Sequence, residues 1–297
     1  MITQDFLLKA RIAIELQQSR IGISNRIYAS IVEQHIRAHP DYTKLLTLRK
    51  DKTKDRKETA KLGKKLLKEQ LRVEGISEDE LNLYYEEVLR NYIPFQTLHT
   101  AEKEAFKILK PELEVEPLYK HWLKNVKGMG IINSIKLLCY IRDIKRFPNP
   151  SKLRKYCGTA PDMKKRRGIE AHFVPALKGL MLGQIATQFL RNGSQYKQVY
   201  DDKKAEYIAT HVEDLKATEE KKKKKQKITK EDWTKMKIHN YAIKAMINRF
   251  LIDLWVAGWK VEDLEPPVTP YILVFPQHNP EPMIVPVKKQ TNQTIIV

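Results

Sequence analysis

An all-α fold is predicted from three features of the sequence. Apolar residues recur at the three- and four-residue spacing of a helix face almost to the C-terminus. No stretch alternates strand and helix as a doubly wound sheet would. Helix start and stop signals punctuate the chain, among them a capping-box pair at Ser77 and Glu80 and the prolines Pro40, Pro94, Pro111 and Pro117.

In order along the chain, Ser24 is expected to cap a helix whose face carries Ile27, Tyr28, Ile31 and Val32, with Pro40 ending it. Arg49 to Arg72 holds 11 Lys or Arg against four acids, and Leu62, Leu66, Leu67 and Leu71 give it only a narrow apolar stripe. A mostly charged, thinly anchored helix is expected there. After the capping box, Leu81, Tyr84, Tyr85, Val88, Leu89 and Tyr92 repeat with helical spacing, the tyrosines being assigned to packing. A further helix is expected from Ala101 to Leu109, stopped by Pro111, and another from Pro117, where proline suits the first helical position. Residues 1–116 therefore read as one helical subdomain.

Residues 117–260 read as a second, with a Lys-rich insertion at about 217–230. There Lys221 to Lys225, Lys227 and Lys230 are expected to form a disordered loop that sweeps along nucleic acid. Trp233, Ile238, Tyr241, Ala242, Ala245, Met246, Phe250, Leu254 and Trp255 then mark an amphipathic helix ending near Gly258, its aromatics assigned to the core. Residues 261–297 form a Pro-rich tail. Its apolar runs Tyr271 to Phe275 and Met283 to Val287 suit an extended segment or a β-hairpin, or an arm for a partner.

Lys and Arg total 55 against 36 Asp and Glu, a net charge of +19 that a fold does not need. Lysine-rich surfaces also serve solubility, but usually balance Lys with Glu; the imbalance points to a polyanionic partner, most simply nucleic acid. The two cysteines, Cys139 and Cys157, lie in the most apolar part of the chain, which excludes a disulfide framework and suits buried thiols in a reducing compartment. No apolar run is long enough to cross a membrane and no secretory signal opens the chain, so a cytoplasmic protein with no membrane partner is expected. Scattered histidines, without a Cys-x-x-Cys or His-x-x-x-His pair, and the lack of a Walker loop predict no metal site and no cofactor.

The sharpest local pattern is Leu123 and Val126, then Lys127-Gly128-Met129-Gly130, then Ile131, Ser134, Ile135, Leu137 and Leu138. It reads as a helix-hairpin-helix. Glycine lets a turn backbone approach a phosphate, and the amides at the next helix N-terminus face the anion, while Met129 plugs the hairpin into the core. A plain interhelical turn accounts for the two glycines equally well. The stretch after the second helix is more specific: Ile144-Lys145-Arg146-Phe147-Pro148-Asn149-Pro150-Ser151-Lys152-Leu153-Arg154-Lys155-Tyr156-Cys157-Gly158-Thr159-Ala160-Pro161.

Hairpin and stretch, in this order and spacing, resemble the C-terminal domain of the Piv-type DNA invertases and bridge-RNA-guided insertion-sequence transposases. Gly193-Ser194-Gln195-Tyr196-Lys197-Gln198-Val199-Tyr200 is similar to that family's segment before a basic linker, and Tyr241 to Trp255 to its closing helix, so the resemblance spans about residues 121 to 259. It implies DNA as partner, homo-oligomers, and RNA accompanying some relatives.

Two departures limit what the resemblance implies. The family opens with a RuvC-like domain whose first apolar strand presents an acidic metal ligand; this chain opens with helical segments and has no acidic tetrad in strand context. Without placed carboxylates a two-metal mechanism lacks its clamp. The family's nucleophilic serine lies in a Ser-Gly loop after the Ala-Pro pair, where this chain reads Asp162-Met163-Lys164-Lys165-Arg166-Arg167-Gly168. Lysine and arginine do not replace a serine in covalent attack on a phosphate.

No catalytic residue is therefore assigned. Ser134 reads as a packing residue and Ser151 as an N-cap; Ser194, which follows Arg191, is the nearest substitute for the lost serine but has no recognisable base. The predicted DNA contacts are Lys127, Gly128, Met129 and Gly130 at the hairpin, Lys152, Arg154 and Lys155 on a short helix, and the loop cluster Lys164, Lys165, Arg166 and Arg167. Three functions are compatible with these residues: a DNA-binding relative of these transposases without their catalytic parts, an active recombinase using non-standard residues or a partner's metal site, and an RNA-binding scaffold.

Overall fold

A computed structural model of the chain describes residues 2–50, 56–161, 163, 168, 170–224, 226–229 and 231–268. Among them there is no strand, and the fold is all-α. The chain divides into two compact units, one from Arg11 to Lys107 and the other joining the residues up to Ala10 to those from Ile108 onward.

The first unit is built from α1 (Gln4–Arg37), α2 (Tyr42–Lys50), α3 (Arg56–Glu74), α4 (Glu78–Asn91) and α5 (Ile93–Val115), with α1 entering it and α5 leaving it. The leucine stripe of α3 is narrow but fully used. Leu66 packs with Ile36 and Leu45, and Leu71 with Ile31 and Leu81, the two clusters sharing Leu67. The capping box forms as expected: the Ser77 hydroxyl accepts the Glu80 amide at 3.1 Å and the Glu80 carboxylate accepts the Ser77 amide at 2.7 Å. Inside the unit Glu102 is buried and accepts from Gln17 at 2.7 Å and from Arg20. Burial pushes its carboxyl up, and the two donors outweigh burial and hold it below the usual range.

Three expectations are corrected by the structure. Ser24 does not start a helix: it lies inside α1, where its hydroxyl meets the Tyr85 hydroxyl, and the helix start is capped by the Thr3 hydroxyl, which accepts the Phe6 amide at 3.0 Å. Pro111 does not stop α5, which runs through it to Val115; Leu109 and Leu113 are fully buried on either side, and their burial outweighs the one backbone bond proline removes. Tyr85 packs, but Tyr84 and Tyr92 stand exposed.

The second unit contains α6 (Pro117–His121), α7 (Ile131–Ile141), α8 (Pro150–Tyr156), α9 (Pro175–Gly179), α10 (Ala186–Arg191), α11 (Lys197–Thr210), α12 (Val212–Lys223) and α13 (Lys235–Lys260). A π-helical segment, Leu180–Ile185, joins α9 to α10 without a break. The centre is α13, capped by the Thr234 hydroxyl on the Lys237 amide at 3.0 Å. From Arg249 to Gly258 every residue of α13 is buried, the mark of a helix enclosed on all sides. Phe250 gathers the aromatic core, with Trp122, Phe189 and Tyr196 rings at 5.7, 5.1 and 5.4 Å.

Two polar contacts lie inside this core. Trp255 donates its indole N–H to the Phe147 carbonyl at 2.7 Å, and Arg249 donates to Asp253 at 3.2 Å beside the Tyr196 hydroxyl. Burial pushes the Asp253 carboxyl up to about 6, against the pull of Arg249 and Tyr196.

The last helix ends at Lys260, near Gly258 as expected, but the glycine is not its cap. The glycine has another purpose: a Cβ there would lie 2.1 Å from Cγ2 of Ile144. The Lys-rich run is likewise not all loop, because Lys221, Lys222 and Lys223 form the last turn of α12, where cations favour the negative end of the helix dipole. Lys225 and Lys230, and the tail runs Tyr271 to Phe275 and Met283 to Val287, lie outside the described residues.

Gly258→Ala forces the Ile144 contact apart. Overpacking of up to about 3 kcal/mol exceeds the gain of about 1 kcal/mol in helix propensity, for a net loss of about 2 kcal/mol, read as a lower urea midpoint at unchanged slope.

Asp253 gives a pH dependence of known sign. Its folded pKa lies above the ordinary 3.8, so the native state takes up a proton before the unfolded chain does, and its contribution to stability rises as pH falls from about 6 toward 3.8. The difference in unfolding free energy between wild type and Asp253→Asn, followed from pH 7 to pH 4.5, is expected to shift in favour of wild type on acidification; no pH dependence in that difference would refute the burial argument.

Candidate nucleic-acid interface

The first arm of the hairpin is short, consisting of α6 and a single 3₁₀ turn, Leu123–Asn125. Trp122 and Leu123, both fully buried, anchor it. The turn closes with the Met129 amide on the Val126 carbonyl at 3.0 Å, and Met129 enters the core.

The two glycines do different things. Gly128 has φ +94°, and a Cβ there would lie 2.9 Å from the Phe189 ring and 3.0 Å from the Gln188 carbonyl of α10. Glycine is required for the backbone conformation and for the close approach. Gly130 has an ordinary extended backbone, φ −71° and ψ 169°, and nothing lies within 4 Å of the position its Cβ would occupy. It is the N-cap of α7 and no side chain caps that terminus. The first amides of α7 thus point past an open position, with Lys127 exposed beside them in sequence, which favours an anion.

The short basic helix is α8. Asn149, not Ser151, is its N-cap, accepting the Lys152 amide at 3.0 Å. Pro150 holds the first helical position and fixes this register, leaving Ser151 exposed one residue further in. Lys152 and Lys155 are exposed. Arg154 is half-buried: burial alone pulls its guanidinium below the usual range, its Nε finds no hydrogen-bond partner, and it forms no ion pair with any described residue. A guanidinium in that state gains when an anion arrives.

Two more cations adjoin α8 that sequence reading passed over. Arg146 lies over the rings of Phe147 and Tyr156, 4.7 and 4.4 Å from their centroids, and is exposed. It belongs to the Arg146-Phe147-Pro148 run singled out in the sequence, where the aromatic spacing was the available signal. Lys178 on α9 had no signal. It is placed by tertiary contact: a Cβ on Gly158, just after α8, would lie 2.5 Å from the Phe173 ring and 3.1 Å from Lys178 Cδ. The Lys178 ammonium lies 4.8 Å from the Phe173 centroid and donates to the Met163 carbonyl. Burial, and then the charge of Lys244 on α13, push its pKa down. The predicted cluster Lys164, Lys165, Arg166 and Arg167 lies outside the described residues.

The serines considered as nucleophiles are housed as structural groups. Ser134 is fully buried in α7; Ser194 is buried before α11, its hydroxyl bonded to the Gln195 side chain at 3.2 Å and facing the Tyr196 amide at 3.5 Å. Cys157 is buried, and burial drives its thiol pKa strongly up; Cys139 is only partly buried, its thiol directed at the Leu7 carbonyl. Among the described residues no three His, Cys, Asp or Glu side chains converge as metal ligands, and no helix is long and apolar enough to cross a membrane.

No curated protein and no solved structure matches the chain. The family model of the transposases of the IS116/IS110/IS902 family matches residues 120–165, the segment that carries the glycine hairpin and α8, so this part of the chain is similar to those transposases.

Proposed function

We propose that this protein binds duplex DNA without cutting it, through the open N-terminus of α7 at Gly130 with Lys127, through Lys152, Arg154 and Lys155 on α8, and through the loop cluster Lys164 to Arg167. The observation that carries the reading is the contrast between the glycines. Gly128 is explained by packing, whereas Gly130 is required neither by its backbone angles nor by its neighbours, and its bare position stands in front of uncapped amides. The half-buried Arg154, which forms no ion pair with any described residue, and the net charge of +19 support it, as does the similarity of residues 120–165 to transposases. The lysines and Arg154 position the phosphate backbone and supply affinity; they do not read base sequence. A non-cleaving role rests on the loop sequence, which has no serine between Pro161 and Gly168, and on the buried state of Ser134 and Ser194. Homo-oligomers are part of the same proposal.

The test uses Gly130→Asp. Aspartate is a good N-cap, so the fold keeps or gains stability, while its carboxylate occupies the α7 amides and repels a phosphate. Fluorescence anisotropy with a labelled duplex is expected to show a loss of about tenfold or more for Gly130→Asp at an unchanged melting temperature. Unchanged affinity would remove the hairpin from the interface.

Across a salt series, the slope of log K against log salt is expected to be shallower by about 0.9 for each phosphate that a variant no longer neutralises, about one such step in Lys127→Ala and several when Lys164, Lys165, Arg166 and Arg167 are all changed to Ala. The bound strands are expected to run intact on a denaturing gel. Nicked or protein-linked strands would replace this reading with an active recombinase, and preference for RNA of the same length would replace it with an RNA scaffold.

A further inference from the structure

Away from the hairpin, the second unit carries a group of aromatic rings that its core does not absorb. His211, between α11 and α12, stacks on Trp233 with centroids 3.5 Å apart and planes 17° off parallel. Tyr207 lies 6.2 Å from Trp233, and Tyr241 lies 5.5 Å from Trp233 and 5.7 Å from Tyr207. Trp233, Tyr207 and His211 are half-buried, while Tyr241 is 42% exposed, although its helix is otherwise the most enclosed element of the fold. These rings form a continuous surface ledge from α11 to the start of α13.

Cations ring the ledge. Lys237 places its ammonium 4.5 Å from the Trp233 centroid while donating to the Glu231 carbonyl, and Lys244 lies 5.7 Å from the Tyr241 centroid. Three nearby acids have partners: Asp232 pairs with Lys221 at 2.6 Å and Glu219 with Lys235 at 3.1 Å, and Asp214 contacts the His211 ring at 2.8 Å. Lys244 forms no ion pair with any described residue, which leaves a positive charge beside the Tyr241 ring.

Interleaved rings with ammonium groups over their faces suit a ligand with flat π-faces joined by phosphates. In a duplex the base faces are stacked on one another and closed to a protein; in an unpaired strand they are free. We infer that Tyr207, His211, Trp233 and Tyr241 form a stacking ledge for an unpaired DNA strand, with Lys237 and Lys244 moving from the rings to its phosphates. The exchange is favourable because a stacked base holds more tightly than a solvent-exposed cation over a ring. The choice of DNA over RNA rests on the proposed duplex binding; the ledge itself does not.

The experiment is anisotropy of labelled oligothymidylate, oligouridylate and duplex DNA against full-length wild type, Tyr241→Ala, Trp233→Ala, Trp233→Phe and Gly130→Asp. Tyr241→Ala and Trp233→Ala are each expected to weaken oligothymidylate by about tenfold or more, Trp233→Phe to restore most of the affinity, and duplex binding to change less than about twofold. Gly130→Asp is expected to do the reverse, weakening the duplex alone. Binding of oligothymidylate should quench tryptophan fluorescence, and Trp233→Phe should remove most of that quench, since Trp122 and Trp255 are buried and Trp259 lies at the opposite end of α13 from the ledge.

If Trp233→Ala also lowers the melting temperature, Tyr241→Ala decides, because its ring is the most open. Oligothymidylate binding unaffected by Tyr241→Ala, or absent, overturns the ledge and leaves the duplex reading standing. Duplex binding absent while the ledge variants still lose oligothymidylate sinks the duplex reading and keeps the ledge. Tighter binding of oligouridylate than of oligothymidylate overturns the assignment to DNA.

Discussion

The second unit depends on one constraint, a helix that water does not reach on any side over ten consecutive residues from Arg249 to Gly258. Such a helix must be walled by other elements, and each wall is held by a named contact. Phe147 receives the Trp255 indole, Ile144 fills the space that Gly258 leaves, and Trp122, Phe189 and Tyr196 close around Phe250. Arg249 and Asp253 are the exception in an apolar helix. One turn apart, they satisfy each other, and losing either would leave an uncompensated charge where desolvation costs most.

The placement of the hairpin depends on that helix. Gly128 rests on Phe189 and on the backbone of Gln188, and Phe189 in turn lies against Phe250. The turn is therefore held on its inner side by the core, while on its outer side Gly130 and the α7 amides stay open. The π-helical segment before α10 takes part in the same wall: its Gln184 accepts from the buried Lys136 of α7 at 3.0 Å, so the helix behind the hairpin and the helix leading out of it are joined by a polar contact as well as by packing. Lys127 beside that open end forms no ion pair with any described residue.

Much of this was legible in the sequence because it is local. The Ser77–Glu80 capping box, proline at the first position of α6, the leucine stripe of α3 and the methionine plug of the hairpin are set by residues within a few positions of one another. The misreadings share a cause. Ser24 and Pro111 carry local signals for a helix end, but Tyr85 satisfies the one and buried Leu109 and Leu113 override the other. Ser151 lost the cap to Asn149 because Pro150 sets the register. Gly258 has the look of a terminator and is a contact point for Ile144, more than a hundred residues away in the chain. Tyr241 matched the apolar periodicity of the last helix, and only the position of α11 shows that its ring stands partly outside.

By itself the sequence determined the all-α class, the positive charge, the glycine hairpin and the stretch after it that carries the likeness to transposases, because helix periodicity, charge and turn chemistry act over short chain distances. Tertiary structure alone decided which glycine faces inward and which outward, that Arg154 is half-buried with no ion pair among the described residues, that Lys178 lies over the Phe173 ring, and that four rings from distant segments meet at the surface. Those facts depend on which side chains the enclosed helix draws against itself, and burial of that kind is a property of the packed chain that no short stretch of sequence carries.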